Sequence, residues 1–271
     1  MKRIYLHVAI YVLAAPMSVR AASGAFEINQ DCAMAGCFAG DTAGFPVTIA
    51  QPGSYVLTSD LVVNSSNDAI QVPASYVDLD LNGHTIDGGG SCSGTPVSAC
   101  SSGIGGVGIN LQTFSLDTDI RVHNGTVRGF ASGGILGGAA GDGTVLDHLT
   151  VAENIGFGAS FSTSSYLTVA HVRDSLFVRN IAGLRGSASF EVTNCVFAGN
   201  QTTGLQVETA AIVAGSRFEH NGGLGLYTTS GEAIALDHNW FRHNNGGSAQ
   251  WGIAGTLRDM GGNVCADHTC P

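Results

Sequence analysis

The chain has 271 residues, 39 of them glycine, with 44% apolar and only 12% charged residues. Lys2 is its one lysine, and beyond Ala21 eight arginines stand against 21 acidic residues, a formal balance of −13. An acidic, lysine-free surface argues against nucleic acid and anionic membranes as partners, and glycine without strict tripeptide periodicity rules out collagen.

In chain order, Lys2 and Arg3 precede an apolar stretch and then small residues around Ala21. That is a secretory signal pattern over Met1–Ala21, with cleavage expected after Ala21. The apolar run is short for spanning a bilayer, so a secreted or periplasmic chain is expected, with no membrane span. Residues 22–53 read as a Cys-containing capping segment, 54–251 as repeats, and 252–271 as a Cys-clasped C-terminal segment. Three cysteine pairs are close in sequence: Cys32 with Cys37, Cys92 with Cys100, and Cys265 with Cys270. In an exported chain these read as short-loop disulfides, metal ligation being the rival reading. Cys195 is left over at a core-facing repeat position and is expected to be a buried, inert thiol.

The repeats carry the fold. An apolar-x-x-Asn motif, followed by Gly and an apolar residue, ends at Asn154, Asn180, Asn200, Asn221 and Asn244, at intervals of roughly 20 to 26 residues. Three residues before each Asn stand Val151, Phe177, Phe197, Phe218 and Phe241, with Val127 and Ile86 as earlier members. Apolar residues five and seven before that position alternate with polar ones, as in two short strands joined by a polar turn. Stacked coils would pile the phenylalanines into one column and the asparagines into another at a bend. The Gly after the bend is expected to supply special turn dihedrals. Leucine-rich repeats, propellers and helical repeats need other periods. The architecture predicted is all-β, a right-handed parallel β-helix of about 7–9 coils with disulfide-clasped ends.

The segment AIQVPASYVDLDLNGHTIDGGG, Ala69 to Gly90, resembles the opening coil of bacterial right-handed β-helix proteins with the pectate-lyase-like fold. Asp31 to Val63 resembles the lead-in of exported members of that superfamily. The resemblance covers about Ala50 to Gly246. It implies the fold and leaves the activity open, because that fold hosts lyases, hydrolases, epimerases, adhesins and inert scaffolds.

In such proteins chemistry sits on outward side chains of adjacent coils. Counting back from Ile86 and Val127 places Asp78 and Asp80 on one coil and Asp119 and Arg121 on the next. Asp78, Asp80 and Asp119 are the candidate metal ligands, for calcium with its six to eight oxygens. With Arg121 they are also the candidate catalytic group, carboxylates for glycosidic cleavage and an arginine base for a lyase. A second cluster, Asp147-His148, Arg173-Asp174 and Asp237-His238, reads first as turn residues. His220 and His243 share one repeat position and are expected to meet at the surface, and His84 is expected to face the core. The function expected is an exported, monomeric β-helix that binds and cleaves or modifies a polysaccharide. The alternative is a non-catalytic, adhesin-like envelope scaffold, and the sequence leaves both open.

Overall fold

The computed structural model describes residues 24–111, 119–138, 143–162, 169–229 and 231–267. The signal segment and Cys270 lie outside them. Each coil has three strands. Two, such as Val169–Arg173 and Leu176–Val178, flank a sharp turn, and the third, such as Ala182–Gly186, follows a bend. In Ile120–Arg128 and Thr144–Ala152 the first two run together as one long strand, which joins their stacks into a 17-stranded sheet. The third strands form a nine-stranded sheet opposite. Coil-to-coil pairing is parallel in both, as in Phe190↔Ala211 and Leu205↔Leu226. This is the predicted β-helix.

Side chains repeat in register because the backbone does. Phe177, Phe197, Phe218 and Phe241 are successive partners. Their rings stack with centroids 5.1, 4.9 and 4.7 Å apart, their planes nearly parallel, and Trp251 closes the column edge-on. At the bend each buried Asn uses its side chain three ways. The Asn200 Oδ1 accepts from the backbone N–H of Asn180 at 3.0 Å and from its Nδ2, while the Asn200 Nδ2 donates to the Phe177 carbonyl. The same pattern joins Asn154 to Asn180, Asn200 to Asn221 and Asn221 to Asn244, and Gln250 takes the last place. Backbone groups that a bend would orphan are thereby satisfied inside the core.

The glycine after the bend serves differently from expectation. Gly158, Gly183 and Gly204 do not need a positive φ; a Cβ on Gly183 would lie 2.2 Å from the Gly204 carbonyl oxygen, and on Gly204 2.6 Å from that of Gly225. Close approach of adjacent coils, not turn dihedrals, demands glycine there. The left-handed positions are elsewhere: His148, Asp174, Asn194 and His238 between first and second strands, and Glu153, Arg179, His220 and His243 after the second.

The segment before the repeats joins the stack. Phe26–Ile28 pairs with Tyr55–Leu57, and the helix Gln30–Ala35 packs the fully buried Ala33 against the core. Asn29 caps that helix, and Cys32–Cys37 pins its exit. Cys92–Cys100 closes an antiparallel hairpin, Ser91–Gly94 with Val97–Ser101. The hairpin lies along the coils: the Val97 N–H bonds the Gly199 carbonyl and the Cys92 sulfur approaches the Glu153 carbonyl. Cys265 is disulfide-bonded, its expected partner Cys270 being outside the described residues. Strand pairing continues past residue 251, through Thr256–Gly261 and Val264–Cys265, so the C-terminal segment extends the solenoid. Cys195 is buried as expected, and burial pushes its thiol up to about 12. It takes the place that Ser175 and Ser216 hold on neighbouring coils, where the Ser216 hydroxyl accepts from the Cys195 N–H.

Candidate functional site

The outward face of the first-strand stack gathers most of the charged residues singled out from sequence, in a register two residues away from the expected one. Asp78 pairs with Arg121, and Asp80 with His123. Ile86 still pairs with Val127. Four residues, Leu81 to His84, lie between the two paired stretches on the first of these coils, whereas two, Asn124 and Gly125, do so within the long strand of the next. Counting back from the second strand therefore slipped by two. A slip of two keeps each side chain on its face but changes its neighbours. Asp119 falls outside the paired ladder, in a left-handed conformation beside Gly143.

His123, which has no part in the expected group, stands opposite Asp80, where Arg121 was expected, and Arg121 takes the place opposite Asp78 expected of Asp119. The His123 Nε2 lies 3.2 Å from Asp78 Oδ1 and its Nδ1 3.8 Å from Asp80 Oδ1. The Nε2 contact is an ion-pair distance without hydrogen-bond alignment, and that nitrogen is buried with no hydrogen-bond partner. Calcium favours a shell of oxygens; here an imidazole lies against both carboxylates, so the three-carboxylate cradle is not assembled. Among the described residues the group of three metal-capable side chains is Asp147, His148 and Asp174, with donor atoms within 4.8 Å of one another.

Asp147 is the hub of this face. It ends the first strand pointing outward, yet its side chain is only 3% exposed because its neighbours cover it. Arg121 from the coil before donates to its Oδ2 at 2.6 Å, and Arg173 from the coil after at 3.1 Å. His148, at the left-handed turn, places Nδ1 2.5 Å from Oδ1. Burial pushes the Asp147 carboxyl up, but hydrogen bonds from Arg121, Arg173 and His148 and the charge of Arg173 outweigh it and hold it at about 2. Two guanidiniums on one carboxylate oppose a cation at Asp147. What the hub does instead is fix two half-exposed guanidiniums and an imidazole side by side. The turn reading of Asp147-His148 was correct for His148 alone.

Farther along, His171 pairs with Glu191 at 2.9 Å. Beyond them the face turns apolar, forming a groove of about 450 Å³ along Phe190, Ala211, Ile212 and Ala235 to Arg258. A smaller, polar concavity of about 320 Å³ lies on the nine-stranded sheet, lined by Ser160, Arg185, Gln206 and Glu208. His220 and His243 do meet, with ring centroids 4.9 Å apart, and His243 is tied to Asp267. His84 does not face the core; it is part-exposed and bonds Asp60, where the Thr85 N–H, followed by His84, lowers the carboxyl's pKa. Asp237 and His238 repeat the Asp147–His148 pairing at 2.6 Å, with no arginine paired to Asp237 among the described residues.

Residues 180–258 match the family model described as the right handed beta helix region. The fold is thus a right-handed parallel β-helix, with a recognisable family signature over its later coils. The chain matches no curated protein sequence. Among solved structures it is similar to the A-module of the mannuronan C-5 epimerase AlgE4 of Azotobacter vinelandii, at TM-score 0.51 and 11% identity over 89% of this chain and 77% of that one. It is also similar to ORF18 of Geobacillus virus E2, at TM-score 0.53 and 11% identity, over 90% of this chain but 53% of that one. At such identities the likeness is one of fold. No helix among the described residues is long and apolar enough to cross a membrane.

Proposed function

We propose that the protein is exported, binds a polysaccharide along the outward face of its first-strand stack, and modifies the bound sugar beside Asp147. The observation that carries this reading is the hub itself, one buried carboxylate holding Arg121, Arg173 and His148 together on an exposed face. Each guanidinium has N–H groups that no hydrogen bond among the described residues takes up, and these suit a sugar carboxylate or hydroxyl. An imidazole fixed through Nδ1 presents Nε2 for proton transfer. Asp78, Asp80 and His123 extend the row by one coil, and a sugar ring is about as long as the step of about 4.8 Å between coils. The epimerase similarity supports a sugar polymer as the partner, and the disulfides support an oxidising compartment.

The test is retention of the protein in gels containing polymannuronate, polygalacturonate or a neutral glucan, each with and without calcium. The reading expects one acidic polymer to retard the chain, and Arg121→Gln with Arg173→Gln to abolish the retardation. With that polymer as substrate, His148→Gln should leave binding intact and remove turnover. Absence of retardation by every polymer would favour the scaffold alternative, and retardation that survives the double arginine variant would sink the assignment of this face.

A further inference from the structure

The apolar groove does not resemble a sugar site. Its floor is small and aliphatic, Ala211, Ala233 and Ala235 with Ile212 beside them, and its one aromatic, Phe190, is buried. Sugar rings are held by exposed aromatic faces and dense hydrogen-bonding groups, which this floor lacks. Its polar groups stand at the ends. At one end the His171–Glu191 ion pair is already satisfied at 2.9 Å. At the other stands Arg258, which has no ion pair or side-chain hydrogen bond among the described residues.

Glu191, Ile212, Ala235 and Arg258 are successive partners down one outward column. Three steps of about 4.8 Å make the channel about 14 Å long. A straight channel of that length, apolar between its charged ends and with one unmatched positive group, selects an apolar chain with an anionic head. Burying the chain supplies the driving force in proportion to the area covered, and a charge-assisted bond to Arg258 supplies the orientation.

We propose that this groove binds the unbranched alkyl chain of a medium-length aliphatic carboxylate, its head group on Arg258. The proposal is independent of the polysaccharide reading, because its floor and its Arg258 head-group site lie on later coils and use another chemistry. The experiment is calorimetric titration of the purified chain with laurate and with the neutral dodecanol, both below the concentrations at which they self-associate. Laurate should bind saturably, and dodecanol should bind about tenfold more weakly, the fold-change of one charge-assisted bond. Arg258→Gln should weaken laurate by about the same factor and leave dodecanol unchanged. Ala235→Phe, which fills the channel from an outward position, should abolish binding of both. Equal affinity for laurate and dodecanol would overturn the role of Arg258. No saturable laurate binding, or binding that persists in Ala235→Phe, would overturn the site.

Discussion

Phe218 and its neighbour Arg217 occupy opposite worlds one residue apart. Phe218 has no exposed surface and stacks between Phe197 and Phe241, whereas Arg217 points to solvent and pairs with Glu219. Truncating a buried ring loses its transfer energy and leaves a cavity, so Phe218→Ala should cost about 3–5 kcal/mol. An exposed ion pair contributes under about 1 kcal/mol, so Arg217→Ala should be nearly silent by urea unfolding. Equal effects would mean that inward and outward are misassigned. Asp147 makes a different prediction, because its folded pKa of about 2 lies below the ordinary 3.8. A depressed carboxyl stabilises the fold above its unfolded pKa, and that contribution is lost as pH falls through the folded one. The stability gap between wild type and Asp147→Asn should therefore be constant above about pH 4 and shrink towards pH 2. A gap that does not change over that window would show that the charge of Asp147 contributes nothing.

At the scale of the coil, the asparagine ladder does what a strand cannot do at a bend. Asn200 serves the Asn180 N–H and the Phe177 carbonyl. Replacement by the similarly sized Leu should orphan both, at about 1–3 kcal/mol for each group. Hydrogen exchange should report the damage locally, with the Asn180 amide losing most of its protection and coils three steps away keeping theirs. Uniform loss would mean that the solenoid unfolds as one unit. The ladder, the phenylalanine column and Cys195 were legible in the sequence because each is a fixed offset from a recurring Asn. The neighbours of Asp78 and Asp80 were not. A coil that widens by two residues, as Leu81 to His84 do, leaves no mark in the apolar pattern, since its alternation has period two. His123 escaped notice for that reason, and Asp147 because an Asp before a turn residue reads as turn. Its importance comes from Arg121 and Arg173, which lie 26 residues away on either side.

The whole molecule is a cylinder whose faces differ in chemistry. The first-strand face carries the charged row from Asp78 to Glu191 and then the apolar groove, while the nine-stranded sheet carries the polar concavity around Arg185 and Gln206. Parallel stacking turns a repeat position into a line along the axis, so a site assembled from several coils is an elongated strip. A polymer lying along the axis meets such a strip with successive units, which is why this face suits a polysaccharide. Hydroxyl-radical footprinting of the chain, free and bound to whichever polymer retards it, tests that assignment most directly. Protection is expected over the strip from Asp78 through His123 and His148 to Arg173, with Arg185, Gln206 and Tyr227 unchanged. Protection confined to those last three, on the nine-stranded sheet, would contradict it.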